Sequence, residues 1–252
     1  MSHFRLALAV MALFTTQYYL AQFQKVIGTQ YHDIVTSIVP DPSGNNWVIT
    51  GNQLHSGSLV NSFALSINSN GVQNWYQSYN DATNNYSYIE DVLYLPNGDL
   101  YTLGTDDLFN GQDIFLMQLD PATGAVLNDA AIAHSNSGIA DYGHSLIEDF
   151  NGNLAFAGRS GANSALGRIN PTLANQQTIS LNTGVSTIAN GIEIHPTNNE
   201  YVVVGQGWSS AGNWDGVIYR LDQSGGLIST QIFDYGLGGD EVFHSIARYS
   251  GG

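Results

Sequence analysis

Cysteine is absent from all 252 residues. That excludes a disulfide framework, cysteine-ligated zinc, iron–sulfur centres and a thiol nucleophile. Positive charge is almost as scarce. Lys and Arg number 6 against 21 Asp and Glu, for a formal net charge of −15. No basic cluster exists to neutralise phosphates, so the field of the chain repels DNA and RNA and argues against a nucleic-acid partner. Sustained helical periodicity is also missing. Beyond residue 21 no long apolar run recurs, so no membrane-spanning segment is expected in the mature chain.

What the chain does hold opposes disorder. Hydrophobic residues make up 43% and aromatics 11%, with 14 Tyr, 10 Phe and 4 Trp. Disordered segments are poor in such side chains. The abundance of Gly, Asn, Ser, Thr and Tyr is that of strands joined by tight turns. Residues 1–21 read as a secretory signal peptide. His3 and Arg5 form its basic start, and Leu6 to Phe14 its apolar core, which is too short to span a bilayer. Cleavage after Ala21 leaves Gln22 first, although Tyr19 stands where a small residue is usual. Export to the outside or to the outer cell surface is the expectation.

The body, residues 22–252, repeats. An apolar residue opens one strand at Ile38, Val92, Leu146, Ile192 and Ile246, in steps of 54, 54, 46 and 54. A turn residue follows at Gly44, Gly98, Gly152, Asn198 and Gly251. Asn is the non-glycine residue best suited to a left-handed turn position. The next apolar run ends in glycine each time, at Gly51, Gly104, Gly158 and Gly205. Paired Asx residues seven apart then bound a third strand: Asn61 and Asn68, Asp113 and Asp120, Asn163 and Asn170, Asp215 and Asp222. Gly71, Gly124 and Gly225 mark the next turn in three of the four copies, before a fourth strand such as that from Val72. Four strands in about 50 residues are the mark of a β-propeller blade. The expected fold is therefore all-β, a propeller of four-stranded antiparallel blades at about 23–79, 80–129, 130–179 and 180–233, with a partial fifth at 234–252. That partial unit predicts a piece of a larger propeller.

In their order these landmarks resemble the secreted bacterial propeller repeats known as SBBP repeats and, more distantly, kelch repeats. The first unit carries the resemblance in Asp33, Ser37-Ile38, Gly44, Trp47 to Gly51, Asn61, Ile67-Asn68 and Trp75. It extends over residues 23–252. The resemblance implies an exported or surface-attached protein of Gram-negative type whose propeller is a binding scaffold. Asn replaces Asp in units one and three, and unit three lacks the glycine after Asn170. Both departures weigh against a metal site shared by all units.

If strand order follows kelch repeats, the first strand of each unit lies innermost. Thr36, Glu90, His144, Asn190 and His244, placed just before those strands, then ring the mouth of the axial channel. Two histidines and a glutamate are zinc-ligand types, but their spread over separate blades favours local capping roles. The loops between second and third strands share that face. They carry His55, Asp106, Asp107, Phe109, Trp208 and Trp214, and flat aromatics beside acids suit sugar rings. Packing of Trp208 and Trp214 between blades is the competing reading. Asp113, Asp120, Asp215 and Asp222 allow a calcium reading, against which Asx capping of their own turns is preferred. Acidic neighbours such as Glu90-Asp91 are expected to point to opposite strand faces. No nucleophile elbow occurs. The residues therefore point to a binding module with a glycan or protein partner rather than an enzyme. No cofactor is expected, and the rival is a polysaccharide-active enzyme, a glycosidase or lyase, using the same loop face.

Overall fold

The computed structural model describes residues 32–54, 60–79, 87–106, 113–132, 141–181, 186–209, 211–236 and 238–248. The signal-peptide reading, His55, Asp107 and Phe109 lie outside them. The described residues form sixteen strands and no helix. Sheet one contains β1 (His32–Pro40), β2 (Asn46–Leu54), β3 (Val60–Asn68) and β4 (Gln73–Tyr79). Sheet two contains β5 (Ser87–Tyr94), β6 (Leu100–Asp106), β7 (Asp113–Leu119) and β8 (Val126–Ile132). Sheet three contains β9 (Tyr142–Glu148), β10 (Leu154–Ser160), β11 (Asn163–Ile169) and β12 (Gln177–Leu181). Sheet four contains β13 (Thr187–Ile194), β14 (Tyr201–Trp208), β15 (Trp214–Leu221) and β16 (Leu227–Phe233). Each sheet is an antiparallel meander in sequence order. The chain is an all-β propeller of four-stranded blades, as its repeat predicts.

The blades stack through their first strands: β1 packs on β5, β5 on β9, and β9 on β13. In the inner blades the second and third strands are buried on both faces, because a neighbouring blade lies on each side. β7 and β10 are buried at six of seven positions. Fourth strands lie outermost, and β16 has no buried residue. Three apolar clusters fill the seams. Val48, Trp75, Val92 and Phe115 join sheets one and two; Tyr101, Leu146 and Phe156 join two and three; Leu166, Ile192 and Tyr219 join three and four.

One device recurs in every blade and explains the glycine that closes each second-strand run. The pairing of first with second strand slips by one residue, between Val35 and Ser37, Ile89 and Asp91, Gly143 and Ser145, and Ala189 and Gly191. Each slip is a β-bulge, which bends the strand and re-aims a side chain. The bend presses the carbonyl oxygens of Ile34, Tyr88, Tyr142 and Ile188 onto Gly51, Gly104, Gly158 and Gly205. A Cβ at any of the four would overlap that oxygen.

The turns follow their predicted chemistry with two exceptions. Asn68, Asp120, Asn170 and Asp222 accept backbone N–H bonds from two or four residues on, so they cap their own turns. In unit three Leu173 and Asn175 supply the positive φ that glycine supplies elsewhere. In unit four the left-handed residue is Asn199 (φ 53°), not Asn198. The turn closed by the His195 N–H to Glu200 carbonyl bond shifts the position by one.

Residues 238–248 form no ladder but occupy the place of a fifth first strand. Thr36 Oγ1 donates to the Ile89 carbonyl at 2.8 Å, from blade one to blade two. Asn190 Nδ2 donates to the Phe243 carbonyl at 2.9 Å across the same sequence separation, 53 residues. Phe243 thus stands where Ile89 stands, and its ring closes on Phe233 with centroids 5.3 Å apart.

Candidate functional site

The four residues unpaired by the bulges are Thr36, Glu90, His144 and Asn190. Sequence reasoning places them just before the first strands; they lie within them, and the bulge sets them apart from the ladder. Their tasks differ. Thr36 and Asn190 fasten their blade to the next, as described above. His144 stacks on Tyr142 with ring centroids 6.1 Å apart. Burial, and then the charge of Arg159, hold its imidazole below the usual histidine value, so it is neutral near pH 7. His244 lies exposed on the terminal segment. Among the described residues no cluster of metal-ligating groups brings His144, Glu90 and His244 together.

Glu90 and Asp91 lie at the bulge of β5, where Glu90 is left out of the ladder and Asp91 pairs with Leu103. Each carboxyl is perturbed. Burial raises Glu90, and the nearby Asp91 charge raises it further. Asp91 reaches two neighbouring blades. It accepts from Ser37 Oγ at 2.7 Å on blade one and from the Leu146 N–H at 2.8 Å on blade three. Burial pushes Asp91 upward too, against those bonds. The result is a fixed carboxyl at the meeting of three blades. Its chain neighbour Glu90 is half-buried and resists ionisation. Sequence inspection missed the bridging role of Asp91, because its partners lie 54 and 55 residues away.

On the loop face, Asp106 ends β6 opposite Asp113. The side chain of Asp106 is outside the described part. Trp208 and Trp214 face each other at the end of β14 and β15, edge to face, 5.2 Å between centroids. Trp208 remains 42% exposed, so the pair is not packed away between blades. Of the four aspartates of the calcium reading, Asp120 and Asp222 cap turns. Asp215 joins Asp234 and Glu241, whose carboxylate oxygens lie within 4.8 Å of one another. These three are the group among the described residues that could hold a cation, and Asn213 Nδ2 already donates to Asp215 at 3.2 Å.

The other face carries a groove of about 650 Å³ between blades one and two. Its walls come from the turns after β1, β5 and β7 and from β4, and include Asp41, Asn74, Trp75 and Tyr94. No sequence signal marked it, since it forms only when two repeats meet.

No family model matches the sequence, and no curated protein does. Solved structures do. A protein of unknown function from Bacteroides caccae aligns with TM-score 0.54 at 12% identity, covering 83% of this chain and 64% of its own. A candidate exo-β-1,3-galactanase from Bifidobacterium bifidum aligns at 0.53 and 9%, over 81% of this chain and 72% of that one. An endo-arabinase from Bacteroides thetaiotaomicron aligns at 0.50 and 12%, with 84% of each covered. The chain therefore spans a little under two thirds of the first of these. At such identities the likeness is one of fold. Among the described residues no helix is long and apolar enough to cross a membrane.

Proposed function

We propose that this propeller acts on polysaccharide, with the reacting sugar seated over the bulged ends of the first strands and Glu90 as the proton-donating acid. The observation that carries the reading is a half-buried Glu90 set out of the ladder by the bulge, with Asp91 next to it in the chain. Burial and a neighbouring carboxyl keep Glu90 protonated to higher pH than an ordinary glutamate. A protonated carboxyl is what departure of a glycosidic oxygen requires. Asp91, tied to blades one and three, acts as a positioning residue that fixes the strand bearing Glu90. The second carboxyl that glycoside hydrolysis uses, about 5–10 Å from the acid, would come from the loop face. Two of the three structural neighbours named above are described as acting on arabinan or galactan, which accords with the reading. So do the −15 charge and the lack of a basic cluster, which suit a neutral rather than an anionic substrate.

The test is a panel of chromogenic glycosides and polysaccharides offered to the mature protein. Turnover that Glu90→Gln removes while the fold is kept supports the reading. Turnover unchanged in Glu90→Gln sinks it. A second reading, a glycan-binding module, rests on the exposed Trp208 beside Trp214. Binding without turnover, weakened by Trp208→Ala, would favour it. We also infer export through residues 1–21; N-terminal sequencing of secreted protein should then begin near Gln22, and an intact leader on cytosolic protein would refute it.

A further inference from the structure

We propose that the groove between blades one and two, on the face away from Trp208 and Trp214, binds a neutral oligosaccharide. The polar side of the groove is built and braced. Asn74 Nδ2 donates to Asn46 Oδ1 at 3.0 Å and to Ser66 Oγ at 3.1 Å. Asn46 Nδ2 donates in turn to Asp41 Oδ2 at 2.8 Å. The amide of Asn74 is thus held by its nitrogen, and its oxygen accepts no bond from a described residue. A fixed acceptor with no protein donor suits a ligand hydroxyl, because no rotamer freedom is lost on binding.

The other side is aromatic. Trp75 gives its indole N–H to the Pro121 carbonyl at 2.9 Å, which pins the ring across the seam. Tyr94 lines the groove from blade two. Burial, and then the Asp41 charge, push its phenol up to about 12, so it stays a hydroxyl donor at any physiological pH. The half-buried Tyr94 ring meets the C–H face of a sugar and the polar groups meet its hydroxyls, while Trp75, only 8% exposed, is a fixed support at the groove's edge. The volume falls within the range of about 300–1,000 Å³ usual for small-molecule sites.

Charge narrows the ligand. No Lys, Arg or His lines the groove among the described residues. The one ionisable carboxyl, Asp41, is held below its usual value: burial works upward, but bonds from Asn46, Ser43 and Asn45 outweigh it. Its fixed negative charge repels phosphates, sulfates and uronates. Both oxygens of Asp41 already accept protein donors, so a cation gains little there. A neutral, hydroxyl-rich chain remains. The ligand class rests on the polysaccharide reading above, but the site is separate from Glu90.

Binding should be measured by calorimetry in the Glu90→Gln background, where turnover cannot intrude. The probes are short neutral oligosaccharides of glucose, galactose, xylose and arabinose. One of these series should bind, and Asn74→Ala and Tyr94→Phe should each weaken it about tenfold, the worth of one hydrogen bond. Thermal unfolding should place both variants near the parent; Tyr94→Phe keeps the ring, so it serves if Asn74→Ala fails to fold. Affinity unchanged in both variants overturns the proposal, as does absence of binding by every series. If wild-type protein shows no turnover yet this binding depends on Asn74, the catalytic reading fails and the groove stands. Turnover that depends on Glu90, with binding indifferent to Asn74 and Tyr94, upholds the catalytic reading and overturns the groove.

Discussion

Blade one and blade two carry the same repeat, yet equivalent residues live in different surroundings. Val35 is 61% exposed, whereas its counterpart Ile89 is fully buried. Ile38 is 55% exposed, whereas Val92 is 4% exposed. Ile89 also receives Thr36 and Asn52 of blade one on its backbone. β1 packs on β2 and β5, and Val35 stays open to solvent. A repeat unit therefore specifies its own sheet, while its neighbours decide what its side chains are worth.

The largest expected effect tests the part that does not depend on neighbours. Gly51→Ala and Gly104→Ala should both cost at least about 3 kcal/mol, and by similar amounts, since each overlap is with a carbonyl of the same blade. Denaturant titration of the two variants is the check, and a mild Gly51→Ala would mean that the edge blade relaxes where the inner one cannot. Burial should then separate the blades. Ile89→Ala should cost about 2–4 kcal/mol, and Val35→Ala less than about 0.5 kcal/mol. Equal losses in urea would show that Val35 is covered in solution.

Next in size is the bridge between blades. Asp91→Ala removes the acceptor for Ser37 and strands the Leu146 N–H, so about 2 kcal/mol should be lost, against about 1 kcal/mol for Ser37→Ala. If Ser37→Ala costs as much, the bond to blade one carries the whole effect. The smallest effect is on pH dependence. The bulge position holds Thr36 in blade one but Glu90 in blade two. Glu90 is raised on folding, so its contribution is most favourable below the ordinary glutamate value. It weakens as pH rises through the raised one. Glu90→Gln should remove that decline, while Thr36→Ser should leave it. His144, lowered on folding, acts in the other sense: stability falls as pH drops through the ordinary histidine value, and His144→Asn should flatten that limb. A pH–stability profile of each variant decides, and unchanged slopes in both would refute the assignment.

Much of the architecture was legible in the chain because it is local. The glycine closing each second strand, the Asx residues capping turns and the apolar runs between them act within a single blade. They recur at fixed spacing, so four blades and the site of a fifth first strand could be counted. Even the misplaced turn at Asn199 is an error of one residue. The candidate sites were less legible. The sequence marked Glu90 and Trp208, but not that a bulge sets Glu90 out of the ladder, nor that Asp91 ties three blades together.

The repeat, the four strands of each unit and the closing glycines followed from sequence alone, because backbone geometry within about 50 residues determines them. Tertiary structure alone decided the environment of the carboxyls and the existence of the groove. Both depend on partners well separated in the chain, such as Asn74 with Asn46 or Asp91 with Leu146, on surfaces that exist only once one blade has stacked on the next.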